Sequence, residues 1–152
     1  MISDGVCNCA DTKERIRGYI GVEQEKIALI KQIVDATDAK IVLSSTWRLD
    51  KLWHDQGRTV KLDTYNYLVG EFAKQGLEFF DVTPQHSDSW RGREIQEWLD
   101  KTTEEVDNYL VIDDDVYDIA KEHKGHLLNT SWKFGIKPNA VKIAIDILNK
   151  NN

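Results

Sequence analysis

Cysteine, proline and methionine are scarce in this chain of 152 residues, at two, two and one respectively. Cys7 and Cys9 stand too close for an ordinary disulfide and are too few for a closed zinc site, so both read as reduced thiols. The four histidines, His54, His86, His123 and His126, lack the H-x3-H spacing of a zinc-binding helix and read as surface or core-edge imidazoles. Basic residues also fall short: 20 Lys and Arg against 26 Asp and Glu leave a net charge of -6. That balance argues against an extended nucleic-acid surface, while a local basic cleft for one phosphate group stays open. No run approaches the ~18 apolar residues of a membrane span and no signal-like start is present, so the expectation is a soluble, cytoplasmic protein without a membrane partner.

The length suits a single domain over residues 1–152 that buries its core without disulfide help. Ile27, Ile30, Ile33 and Val34 fall at helical spacing within Val22 to Thr37, and Ala39 to Leu43 follows as a short buried strand. Tyr65, Leu68, Val69 and Phe72 predict a second helix stopping near Gln75-Gly76, before a strand over Leu77 to Val82. Ser87 or Ser89 is the expected cap of a helix carrying Ile95, Trp98 and Leu99, and Tyr109 to Ile112 is a third buried strand. A short helix over Val116 to Glu122, a strand over His126 to Asn129 and a last helix opened by Pro138 complete the alternation. Val141, Ala144, Ile145 and Leu148 are the expected buried stripe of that last helix. Alternating helices and apolar strands predict an α/β domain with a parallel sheet covered on both faces and its site at the carboxyl ends of the strands.

Three of those ends carry chemistry. Tyr109 to Ile112 delivers the carboxylates of Asp113, Asp114 and Asp115 to one point, where water, a basic side chain or a metal must offset their repulsion; such a cluster usually holds a cation, and hard oxygen ligands favour magnesium. Ala39 to Leu43 ends in Ser44-Ser45-Thr46-Trp47-Arg48, hydroxyls and a guanidinium suited to an oxyanion or, alternatively, a helix cap beside a solvated arginine. Met1-Ile2-Ser3 ends in Asp4-Gly5. Arg91 and Arg93 stand in the first turn of a helix, where cations oppose the dipole unless an anion or solvent offsets them.

In order and spacing these segments resemble the haloacid dehalogenase (HAD) superfamily of phosphohydrolases, most closely the small HAD-like domains found beside RNA-repair enzymes and as standalone phage and bacterial proteins. Ser3-Asp4-Gly5-Val6 resembles the second half of the first motif and Ile41 to Arg48 the second. Arg91-Gly92-Arg93-Glu94-Ile95 resembles the third, Ile112-Asp113-Asp114 the fourth, and Asn129 to Ile136 the closing loop before the last helix. The resemblance implies a three-layer, Rossmann-like parallel sheet with little or no cap domain. It also implies hydrolysis of a phosphomonoester, a phosphorylated small molecule or a nucleic-acid end, with Mg2+. By position, Asp4 is the acid/base, Ser44, Ser45, Thr46 and Arg93 hold the phosphoryl group, and Arg48 and Arg91 balance its charge. Asp113, Asp114 and Asp4 are the metal ligands that the resemblance implies.

The chain departs from that pattern two residues before Asp4, where the family's nucleophilic aspartate belongs and Ile2 stands. An alkyl side chain neither attacks phosphorus nor binds a metal, so classical activity is expected to be impaired and magnesium affinity lowered. Met1 and Ile2 also make a short first strand where the family has about five apolar residues, roughly an average strand. Two other readings remain: an inactive relative that binds or sequesters a phosphorylated ligand, and a homo-oligomer that associates through the exposed sheet centre. Of the tryptophans, Trp98 is expected in the core, and Trp47 and Trp90, which adjoin the arginines, are expected in the core ahead of the alternative of lining a ligand pocket.

Overall fold

The computed structural model describes residues 1–150 apart from the side chain of Asp4, on which one expected acid/base and metal ligand therefore falls outside the described residues. A 3-10 turn at Asp4–Val6 leads into a two-stranded antiparallel hairpin, β1 (Arg15–Ile16) and β2 (Tyr19–Ile20). Its turn puts Arg17 and Gly18 at φ of 51° and 83°, the paired left-handed geometry that matches the twist of a tight hairpin.

Helix α1 (Gln24–Thr37) buries Ile27, Ile30 and Ile33, and ends on Asp38 in the left-handed region, with the Asp38 amide bonding to the Val34 carbonyl. Strand β3 (Ile41–Leu43) is wholly buried. A second 3-10 turn (Thr46–Arg48) runs into α2 (Leu49–Asp55), a segment that hydrophobic periodicity did not reveal because α2 buries no residue completely. Helix α3 (Asp63–Ala73) buries Leu68 and Phe72, whereas Val69, expected on the same stripe, is exposed. Next come β4 (Phe79–Val82) and α4 (Arg91–Lys101). Neither Ser87 nor Ser89 caps α4: Asp88 accepts from the Trp90 amide instead, and Ser89 takes a positive φ. Strand β5 (Val111–Asp113), α5 (Ala120–His123), β6 (Leu127–Asn129) and α6 (Pro138–Leu148) complete the order. Helix α5 is shorter than its expected span.

Pairing of β3 with β4 and of β5 with β6 is parallel, as continuous apolar strands predict. Ile2 joins the two pairs, making parallel bridges to Leu43 on one side and Ile112 on the other. Its amide donates to Val42 and its carbonyl accepts from Ser44, so Ile2 lies between β3 and β5. Alternate residues along β5 and from Leu110 just before it enter separate cores. Leu110 and Ile112 pack with α1 and α6 residues such as Ile30, Ile33 and Ala144, while Val111 packs with Ile95 and Ile119. Burial of side chains of this size is worth about 1.5–3 kcal/mol each before ordering entropy is subtracted. No helix among the described residues is long and apolar enough to cross a membrane.

Candidate functional site

Backbone hydrogen bonds carry the strands to one common edge. The amide of Ser3 donates to Ile112, Ser44 to Ile2, Thr83 to Leu43 and Thr130 to Asp113. The residues that follow five parallel segments thus share one edge, where strand amides and carbonyls run out and side chains take over.

Asp113 ends β5 fully buried. One carboxylate oxygen accepts from the Asp115 amide at 2.9 Å and the other from Arg91 Nη1 at 2.9 Å. Burial pushes its carboxyl up to about 7, the Arg91 guanidinium pulling the other way and the Asp114 charge adding to the rise. Asp114 lies over the first turn: a Cβ on Gly5 would come within 2.2 Å of the Asp114 carboxyl carbon. A side chain at position 5 would therefore have to displace the Asp114 carboxylate from its place over the Asp4–Val6 turn. Ser3 Oγ donates to Asp114 at 3.5 Å, a long bond between the same two segments.

Arg91 is fixed at both ends. Its amide donates to Asp118 Oδ2 at 3.0 Å and its guanidinium reaches Asp113. The structure thus unites Arg91, Asp113, Asp114 and the turn that begins at Asp4. Ser44 joins them from β3, completely buried, with its hydroxyl donating to the Ile2 carbonyl at 3.2 Å. Ser45 is buried as well and caps the following 3-10 turn, accepting from the Trp47 amide at 3.1 Å, while Thr46 is exposed.

Arg48 and Arg93 take other positions. Arg48 is buried, donating to the carbonyls of Ser44, Ser45, Thr83 and Pro84 and to the Glu94 carboxylate at 2.8 Å. It braces the loops behind the site and ties the end of β3 to α4. Arg93 points from the exposed side of α4 to Asp88 at 2.7 Å. The reason is helical geometry: neighbours separated by two residues on a helix face apart, so Arg91 and Arg93 cannot both meet the acids.

Sequence reasoning did not single out Asp118, Glu94, Thr83 or Thr130. Asp118 Oδ1, Thr83 Oγ1 and Thr130 Oγ1 are buried without a hydrogen-bond partner among the described residues, which is uncommon enough to mark polar positions fit for a ligand or water. Only the acid in Arg91-Gly92-Arg93-Glu94 carried a signal for Glu94, and nothing local foretold the others. Cys7 and Cys9 are free thiols, with Cys7 pushed up to about 12 by burial. His123 proves a core residue, not a surface or edge one, because Tyr109 and the Gly92 carbonyl satisfy its two nitrogens. Trp47 is core and Trp98 only half-buried, its indole N–H donating to Asp81. A cavity of about 840 Å³ opens at the opposite, amino ends of β3 and β5, among Ile41, Val42, Phe80, Trp98 and Leu110. Volume and chemistry are therefore at different ends of the sheet.

Parallel strands that collect acids, hydroxyls and one helix-borne arginine at a single edge define an HAD-like α/β domain of the phosphatase type. The family of the HAD domain in Swiss Army Knife RNA repair proteins matches residues 3–141, and the chain belongs to it. No curated protein and no solved structure matches the chain.

Proposed function

We propose that this domain binds a phosphomonoester, on a nucleotide or a nucleic-acid end, at the edge formed by Asp4, Ser44, Arg91 and Asp113, and that its covalent turnover is impaired. The observation that carries this reading is Ile2. It is buried between β3 and β5 two residues before Asp4, where the family's chemistry needs a carboxylate. The same placement supports a three-layer HAD arrangement.

Magnesium fits the residues present. Asp113 is a desolvated acid beside a second acid, with one arginine to offset both, and hard carboxylate oxygens are the donors magnesium prefers. Among the described residues no three acids, histidines or cysteines form a closed cage. Two carboxylates, Asp113 and Asp114, would hold the ion, with water and substrate oxygens completing its shell, an arrangement common for magnesium. When bound it supplies charge neutralisation for the phosphoryl group. Arg91 then positions Asp113 and remains close to the entering anion, Ser44 fixes the backbone at Ile2, and Asp4 is the acid/base by position.

The test is phosphate release from p-nitrophenyl phosphate with magnesium by the wild type, Asp4→Asn and Ile2→Asp, alongside calorimetric binding of 5'-AMP. The expected pattern is binding without wild-type turnover above Asp4→Asn, and a gain of at least ~100-fold in Ile2→Asp, the scale on which covalent nucleophiles act. Vigorous wild-type turnover would overturn the impairment. Absence of both binding and turnover, in every variant, would overturn the site.

A further inference from the structure

We propose that the turn Ser131–Gly135 is a base-stacking platform that receives the nucleotide next to the bound phosphate, so that the ligand is a single-stranded nucleic-acid end and not a free mononucleotide. This rests on the phosphate-binding reading above and deepens it. The turn is welded to the site from both sides. Upstream, the Thr130 amide donates to the Asp113 carbonyl at 2.9 Å; downstream, the Ile136 amide donates to Val6 at 2.8 Å, and Ala10 donates to the Lys133 carbonyl. Gly135, at φ 64°, lies so close to the first turn that a Cβ would come within 2.1 Å of the Asn8 carbonyl oxygen. Trp132 follows Thr130 by two residues, which limits their separation to about 7 Å of chain.

On that rigid support the aromatic rings face solvent: Trp132 is 67 % exposed and Phe134 47 % exposed. Trp132 makes no ring contact or side-chain hydrogen bond among the described residues, so its faces are open. Lys133 and Lys137 flank the Phe134 ring at 5.3 and 4.2 Å from its centroid, and among the described residues neither forms an ion pair. An open indole on the same turn as two lysines that pack over Phe134 and lack acidic partners suits a base followed by a phosphodiester. The second aromatic pair, half-buried Trp90 and exposed Tyr117, has one cation, Arg93, 5.4 Å from the Trp90 ring, and that cation is already paired with Asp88. Asp88 and Glu122 bond to Trp90, and Asp115 bonds to the Tyr117 amide, a surround that repels a phosphodiester. Two lysines also accord with a chain of net charge -6, since one step of backbone is gripped and no long track is needed.

The experiment measures binding of inorganic phosphate, 5'-AMP, and 5'- and 3'-phosphorylated single-stranded RNA tetranucleotides, with magnesium, to the wild type, Trp132→Ala, Trp132→Phe and Lys133→Ala/Lys137→Ala. The tetranucleotide of one polarity is expected to bind about 10-fold or more tighter than 5'-AMP and to quench Trp132 fluorescence, the usual effect of one stacked base. Trp132→Ala should lose that advantage while phosphate binding is unchanged, and Trp132→Phe should recover part of it. The double lysine variant should weaken tetranucleotide binding and flatten its salt dependence. Equal tetranucleotide affinity in wild type and Trp132→Ala overturns the platform, and so does a Trp132→Ala effect confined to self-association in sedimentation. Quenching by tetranucleotide without any binding of phosphate or 5'-AMP would leave the platform standing and overturn the phosphate site instead.

Discussion

Arg48 and Arg91 occupy corresponding places, each at the start of a helical segment after a strand or loop and each on a buried acid, but their surroundings differ. The Arg48 and Glu94 side chains are 2 % and 3 % exposed, whereas Arg91 is 19 % exposed above an Asp113 that is 0 % exposed. The Arg48 pair is closed, because backbone carbonyls occupy the guanidinium on several sides. The Arg91 pair opens to the edge where Asp114 and the Asp4 turn meet. Burial thus separates an ion pair that shapes a loop from one that is able to meet an incoming charge.

The largest effect is expected at the closed pair. Arg48→Ala leaves the Glu94 carboxylate buried without its cation, and denaturant unfolding should register a loss of about 3–5 kcal/mol. Replacing both partners by apolar residues, Arg48→Met with Glu94→Leu, should lose less than the single change, and a greater loss would mean that the carbonyl contacts dominate. The open pair should answer to pH. The folded-state pKa of Asp113 is raised from its ordinary 3.8 to about 7, so within that window the folded protein retains a proton that the unfolded chain has released. Stability from this group therefore falls as pH rises between those values and levels off above. Thermal melts of Asp113→Asn should lack this component of the slope, and magnesium should stabilise the wild type more at about pH 8 than at about pH 5, because only the ionised acid attracts it.

A smaller change sharpens the same contrast. Gly5→Ala forces the Asp114 carboxylate aside, a flexible group, so stability should drop by less than about 1 kcal/mol while magnesium affinity falls roughly 10-fold. Calorimetric titration and melting would separate the two readouts. Arg93→Ala should change neither stability nor phosphate binding measurably, since its pair with Asp88 is solvent-exposed. A clear loss of phosphate binding in that variant would place Arg93 in the open group after all.

Most elements were legible because apolar spacing reports burial. Ile27, Ile30 and Ile33 defined α1, and the unbroken apolar runs at Ile41–Leu43 and at Leu110 to Ile112 announced strands buried on both faces. The alternation of these elements located the carboxyl edge of the strands, where Asp113 and Arg91 pair and Asp114 lies over the first turn. Helix α2 escaped because it has no fully buried stripe. The cap of α4 was misassigned because Ser87, Asp88 and Ser89 are all capable side chains, and the positive φ of Ser89 is a property of the folded loop. Trp98 sits on a plausible stripe, yet its indole reaches exposed Asp81, a neighbour remote in sequence.

By itself the sequence determined the α/β alternation, the acids at the end of β5, and an alkyl side chain, Ile2, two residues before Asp4. Those properties reside in side-chain type and local periodicity. Only the tertiary structure decided which arginine is closed off, that Gly5 yields its space to Asp114, and that Trp132 stands open on a turn where Lys133 and Lys137 pack over Phe134. Each of these depends on approach between segments separated by many residues, and burial, which sets the strength of every charge in the site, exists only once those segments have packed.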